Sequence, residues 1–269
     1  MEHALIELDW ADIGWMLGLL GTAIALLQWQ GLNLTGQLLW AGGRTILQLI
    51  VVGYFLAVVF SLENVWAVLL VLAIMLTIAA VVARNRINPR SKSLFGWLWL
   101  SLGASTAISL GYALVVIIQP PQWYSPQYLI PLTGMILGQT MNSASLAGER
   151  LASAIQQNPR EIETHLCLGA TPGQAIVSYR RAAIRASLIP TVNQMMVVGL
   201  VSLPGMLTGQ VLAGGDPLNA SVYQILIMFL ILLTNTLSTI AVTATVYRQY
   251  FNQHQQLIVL PPIASFLMG

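Results

Sequence analysis

Apolar residues fall in long, nearly unbroken runs along this chain, and polar residues collect between the runs instead of alternating with them. A helix needs about 20 mainly apolar residues to cross a hydrocarbon layer of ~30 Å, because no backbone polar group can be left to water there. Seven runs meet that condition: 13–32, 45–62, 65–83, 94–118, 128–147, 189–213 and 222–246, none of which holds Asp, Glu, Lys, Arg or His. The pattern predicts an all-α, polytopic membrane bundle of seven transmembrane helices, folded as a single domain over 1–269.

One connection is long. The stretch 148–188 is dense in helix punctuation: Asn158-Pro159-Arg160-Glu161 offers an N-cap, proline at the first helical position and a carboxylate in the first turn. A helix is therefore expected from Pro159, ended by Gly169. Thr171-Pro172-Gly173-Gln174 repeats the signal with a capping-box glutamine, so a second helix is expected over 172–187. The loop reads as helix, tight turn, helix. Its first part presents carboxylates and small residues, which lipid headgroups do not favour, and is read as a docking surface. Its second part carries Arg180, Arg181 and Arg185 and would equally suit anionic lipid at the membrane surface.

Charge fixes the direction. If the N-terminus lies outside, Arg44, Arg84, Arg86, Arg90, Lys92, Arg150, Arg160, Arg180, Arg181, Arg185 and Arg248 all fall on cytoplasmic segments, and Glu2, Glu7, Asp9, Asp12, Glu63 and Asp216 fall outside with no basic residue among them. That is the positive-inside arrangement for seven crossings with a cytoplasmic C-terminus. Trp10, Trp15, Trp66, Trp123 and Tyr124 are outer-face aromatics suited to anchoring at the interface, although Trp15 and Trp66 would serve equally as core.

Composition supports the membrane class, since 57% of residues are hydrophobic and only 7% charged, against about 25% charged in ordinary globular chains. The net charge of +2 is too small to hold nucleic acid electrostatically. Cys167 is the single cysteine, which rules out an internal disulfide. The acidic start is unlike a secretory signal, so the first run is expected to remain. Asn33 and Asn219 head Asn-x-Ser/Thr triplets of a kind that recurs by chance.

Two resemblances follow from these strings. Glu163-Thr-His-Leu-Cys-Leu-Gly169-Ala170-Thr171 resembles the Glu-Ala-Ala-x-x-x-Gly loop of ABC-transporter permeases, with Thr164 and His165 where that loop has alanines. Leu-Gly-Ala-Thr-Pro-Gly-Gln-Ala (168–175), Ile-Arg-Ala-Ser-Leu-Ile-Pro-Thr-Val (184–192), Val-Gly-Leu-Val-Ser-Leu-Pro-Gly-Met-Leu-Thr-Gly (198–209), Ala-Gly-Gly-Asp-Pro (213–217) and Tyr-Gln-Ile (223–225) are similar to the FetB-like permeases, a family associated with iron export in bacteria and aluminium tolerance in plants. The resemblance implies a permease subunit in a bacterial plasma (inner) membrane, working with a separate ABC ATPase subunit that binds Mg-ATP, as two permeases with two ATPases. Glu161, Glu163, Gly169, Ala170 and Thr171 would then form the coupling elbow.

Missing chemistry points the same way. No ionisable group is expected at membrane depth to carry protons or ions, and His3, His165 and His254 all lie outside the runs. Lys92 is the only lysine and follows no Gly-x-x-x-x-Gly-Lys, so the chain has no phosphate loop and no cofactor of its own is expected. No enzyme triad is visible. The candidate pathway follows the fifth and sixth runs, through Met135, Gln139, Met141, Asn142 and Ser143, then Asn193, Gln194, Met195, Met196, Ser202, Pro204 and Met206. Thioethers suit Cu(I) more than iron, so these residues assign no metal. Methionine also fills gaps, and amides also bridge helices. Gly134-x-x-x-Gly138 and Gly205-x-x-x-Gly209 read as close helix contacts. A passive channel and a membrane scaffold without a pathway remain as alternatives to the ABC permease.

Overall fold

The computed structural model describes residues 10–32, 34–62, 64–89, 91–120 and 122–258. Glu2, His3, Glu7, Asp9, Asn33, Glu63 and Arg90, and the side chain of Trp10, lie outside the described residues. In chain order the helices are α1 (Trp10–Trp29), α2 (Thr35–Leu62), α3 (Val65–Ile87), α4 (Lys92–Tyr112), α5 (Pro126–Gln157), α6 (Pro159–Cys167), α7 (Pro172–Ala175), α8 (Val177–Val197), α9 (Gly205–Leu212) and α10 (Pro217–Arg248). A π-helical segment, Ala113–Ile118, continues α4. It ends where the Gln119 N–H reaches the Leu114 carbonyl at 3.0 Å, and Gln119 turns left-handed (φ 44) ahead of Pro120, a neighbour that disfavours continued helix.

Local chemistry sets several starts. Asn64 Oδ1 accepts the Trp66 N–H at 2.9 Å at the head of α3. Asp216 Oδ2 accepts the Asn219 N–H at 3.0 Å and Pro217 fills the first position of α10. Membrane-scale length is plain in four helices, Thr35–Phe60, Val65–Ile87, Lys92–Ile118 and Pro217–Arg248, and Gly14–Trp29 adds a shorter apolar helix.

Four sequence expectations change. The second helix begins at Thr35, well before the expected 45, so Arg44 lies inside α2 and not ahead of it. With its amide oxygen turned to accept, Gln48 one helical turn on takes the Arg44 Nε–H at 3.0 Å, which lets the guanidinium stay in the helix. The fifth helix runs on to Gln157, so the long connection starts about three turns later than 148. The sixth run, expected as one helix over 189–213, is broken. The helix expected over 172–187 is instead split at Ile176, and its second part, α8, passes straight through Ser187 and Pro190 to Val197. Residues 198–204 then leave helical geometry, with Gly199 at φ 83, and α9 begins only after Pro204.

Helices α5 and α10 form the centre, with α3, α4 and α8 packed around them, α9 along α10, and α1 and α2 at the periphery. Trp15 (80% exposed) and Trp66 (78% exposed) point outward, which favours interface anchoring over core packing. The largest apolar cluster joins Ile87, Leu94, Leu98, Leu151, Ile155, Ile162, Ile176 and Val246 at one end of the bundle. A second joins Leu110, Leu132, Ile136, Ile227 and Leu230 toward the other end. Between helices the fit depends on small and hydroxylic residues, because lipid gives apolar side chains no reason to leave it. Ser105, Thr234 and Thr243 are buried and satisfy their hydroxyls on carbonyls one turn back, at 2.7 Å each.

The tightest approach is at Gly148 on α5, where an added Cβ would lie 2.5 Å from Ile87 Cδ1 and 2.8 Å from its Cγ1. Ile87 is itself fully buried and has no room to yield. Gly148→Ala is therefore expected to destabilise the solubilised protein by about 1–3 kcal/mol, the usual cost of overpacking. Thermal unfolding checks this, with Gly148→Ala/Ile87→Ala recovering part of the loss; a wild-type melting point for the single variant would refute the close approach.

Candidate functional site

At the end of the bundle marked by the largest apolar cluster, α6 and α7 make the expected elbow. Asn158 does not cap α6 through its side chain; its Nδ2 donates back to the Ala154 carbonyl at 2.9 Å and closes α5 instead. Gly169 ends α6 as expected. At φ 90 it lets its own N–H reach the Leu166 carbonyl and the Ala170 N–H reach the His165 carbonyl, each at 3.0 Å, the paired closure that a left-handed residue makes possible. Gln174 Oε1 accepts from the Thr171 N–H at 2.8 Å and from the Thr171 hydroxyl at 3.0 Å, so the capping box predicted for α7 forms.

The elbow is fastened inward by Ile162, which is fully buried, and by Ala175 and Ile176 in the same core. Glu163, Gly169 and Thr171 are exposed and Ala170 is half-buried. Glu161 is exposed and lies near Tyr179 of α8: burial of the phenol, together with that carboxylate, pushes the Tyr179 pKa up to about 12. Leu168, absent from the sequence candidates, stands 80% exposed at the tip. Its signal was a large apolar residue immediately before a helix-ending glycine, outside any membrane run. Cys167 beside it is exposed.

The pathway candidates do not converge on one point. Met135 and Met206 pack against the second apolar cluster, whereas Met141 packs against the first. Asn142 is exposed and its Oδ1 accepts from Arg86 Nη1 at 3.4 Å. Gln139, Asn193 and Met196 are exposed, and Gln194 and Ser202 half-buried. No atom lies within 4 Å of a Cβ built at Gly138, Gly205 or Gly209, so of the two glycine pairs only Gly134 approaches a neighbour, Met75 Cε at 3.1 Å. The physical reason is the break after Val197, which leaves α9 with no buried residue and its glycines facing outward.

What the break creates is a cavity of about 430 Å³ where Met195 and Gly199 face Ser221, Gln224 and Met228 of α10. Gln224 is 94% buried by its 6% exposure, and its Oε1 has no partner. The pathway candidates stop at the sixth run and leave out Gln224 of α10, although an amide inside the seventh apolar run was a legible signal. Farther along α10, Asn235 Nδ2 donates to Thr191 Oγ1 at 2.9 Å, and Arg180 donates to Thr243 Oγ1 at 3.1 Å and to the Ile240 carbonyl at 3.0 Å, which pins α8 to α10. Among the described residues no three His, Cys, Asp or Glu side chains gather as a metal site.

Residues 10–251 match the model of an uncharacterised protein family, UPF0014. The chain is 98% identical over 259 residues to the UPF0014 membrane protein slr1647 of Synechocystis, covering 96% of this chain and all of that protein. It is 37% identical to the probable iron export permease protein FetB of Escherichia coli, covering 88% of this chain and 90% of the relative. It is 33% identical to Protein ALUMINUM SENSITIVE 3 of Arabidopsis thaliana, over 87% of this chain and 85% of that one. No solved structure matches.

The raised Tyr179 pKa means that the folded state holds the phenolic proton more tightly than the unfolded chain, so its contribution is intact below pH 10 and is lost as pH climbs toward 12. Tyr179→Phe is expected to flatten the decline in stability between pH 10 and 12. Unfolding of the solubilised protein across that range is the measurement; an undiminished decline in the variant would separate Glu161 from Tyr179.

Proposed function

The chain belongs to the UPF0014 family, a family of FetB-like membrane permeases, and from that premise we propose that it is the membrane-spanning subunit of an ABC transporter. It is a multi-pass membrane protein, in keeping with a bacterial inner membrane. In this reading ATP is hydrolysed on a separate subunit, two permeases work with two ATPases, and closure of the ATPase pair moves the elbow at Gly169 and alternates access to the cavity beside Gln224. The seven-crossing, N-out and C-in arrangement belongs to the same proposal. It is supported by the one end of the bundle where the cluster around Leu94 and Leu151 lies close to Arg84, Lys92, Arg150, Arg160 and Arg248 in sequence.

The observation that carries the reading is the elbow itself. A rigid α6, closed by Gly169, seated by Ile162 and lying near α8 at Glu161, can transmit displacement into the bundle while presenting Glu163 and Leu168 to a soluble partner. The interior lacks what an ion-driven carrier would use. Arg44 lies in the first half of the 28-residue α2, ahead of its apolar run, and the apolar runs hold neither carboxylate nor histidine. For cargo, iron export is named for the Escherichia coli relative. The cavity offers thioethers and an amide, so we read the substrate as a metal-linked small solute more readily than a bare hard cation.

The test is co-expression with candidate ABC ATPase subunits, followed by reconstitution in vesicles. Leu168→Asp and Glu163→Lys are expected to reduce co-purification of the ATPase at least tenfold, about 1.4 kcal/mol or more of binding. Gly169→Val, which strains a left-handed position, is expected to leave membrane insertion intact while separating ATP hydrolysis from transport. Unaided movement of solute by the purified chain, or wild-type transport by Gly169→Val, would overturn the proposal in favour of a passive channel.

A further inference from the structure

Helices α4 and α10 leave a second pair of hollows that the transport reading does not use. One, of about 130 Å³, lies at the basic end and is lined by Ser93, Trp97, Thr245, Arg248 and Gln249. The other, of about 350 Å³, continues toward the bundle's middle between the same two helices, past Leu100, Ala104, Ile108, Leu237 and Ala241. They share Trp97 and Thr245, so the two hollows form one groove, polar and cationic at its head and apolar along its length.

The chemistry of that groove is specific. Arg248 is exposed in the last turn of α10, Lys92 opens α4 next to Ser93, and no carboxylate lines either hollow. A lone guanidinium at a membrane surface attracts an anion, and arginine matches a phosphate's geometry with paired donors. Trp97 is half-exposed at the junction, where an indole prefers the boundary between headgroup and hydrocarbon. Below it the walls are Leu, Ile and Ala, with Ser101 and Ser105 buried into the helix and the Ser105 hydroxyl already given to the Ser101 carbonyl. A soluble anion would fill only the head of the groove, and a neutral lipid would leave the cationic head unanswered.

We propose that this groove binds one anionic phospholipid, its phosphate held by Arg248 and Ser93 and one acyl chain laid between α4 and α10. The bound lipid braces α4 against α10 on the flank beside Trp97 and Thr245. The site does not depend on which solute is carried or on the presence of an ATPase.

The full chain, reconstituted in vesicles of equal parts phosphatidylcholine and phosphatidylglycerol, is tested with photoreactive analogues of each lipid, and labelled peptides are mapped. Phosphatidylglycerol is expected to label α4 and α10 in preference to phosphatidylcholine. Arg248→Gln should reduce that labelling about fivefold, the effect of removing one basic residue from an anionic surface, while Arg248→Lys retains most of it. Ala241→Trp, which fills the apolar part, should abolish it with Arg248 in place, and Arg185→Gln on α8 should leave it unchanged. Equal labelling by both lipids, displacement by inorganic phosphate alone, undiminished labelling in Ala241→Trp, or disulfide cross-linking between one copy carrying Trp97→Cys and another carrying Thr245→Cys would each overturn the assignment.

Discussion

A short helix outside a membrane can move the helices within it only if it shares their core, and Ile162 supplies that sharing. It is fully buried in the cluster that also holds Ile87 of α3, Leu94 and Leu98 of α4, Leu151 and Ile155 of α5, and Val246 of α10. Four long helices and the elbow therefore meet in a single close-packed volume, where a side chain displaced on one element must displace its neighbours. Ala175 and Ile176 join the same volume from the other arm, while Glu163 and the turn with Leu168 and Gly169 stay exposed.

Away from that cluster, helix association rests on close approach and on polar pairs, as expected where lipid competes equally for apolar side chains. Gly148 admits Ile87, and the hydroxyls of Ser105, Thr234 and Thr243 fold onto their own helices so that neighbouring backbones can come near. The two side-chain bridges from α8 to α10, through Asn235 and Arg180, lie between the elbow and the broken span. In the proposed reading, a displacement entering at α6 would pass to α8 beside Glu161 and Tyr179 and to α10 through these bridges.

The broken sixth span shows how irregular backbone can sit inside a membrane protein. The Val197 carbonyl accepts from the N–H groups of Leu200, Val201 and Ser202 at 3.2, 2.9 and 3.3 Å, and Gly199 N–H reaches the Ser202 carbonyl at 2.9 Å, so the turn largely satisfies itself. Non-helical backbone within an apolar run is tolerated where it borders a cavity or is covered by protein. Here it borders the space under Gln224, whose unpartnered oxygen gives that space its one strongly polar feature.

Class, family and elbow were legible from the sequence because they depend on short-range rules. Apolar runs of membrane length mark helices whatever surrounds them, and Gly169 and the Thr171-to-Gln174 box end and start helices within four or five residues. The helix limits were not legible in the same way. Arg44 entered α2 because Gln48 one turn on could receive it, and α5 ran past its apolar stretch because Leu151 and Ile155 found a core to fill. The break after Val197 escaped because 198–204 is as apolar as a continuous helix, and apolarity does not report backbone direction. Only the folded chain could decide that Met195 meets Gln224 and Met228, that Glu161 turns to Tyr179, and that Met141 packs apart from Met135. Each of those is a meeting between helices distant in sequence, fixed by which small residues let two backbones approach, and periodicity along one helix carries no information about its neighbour.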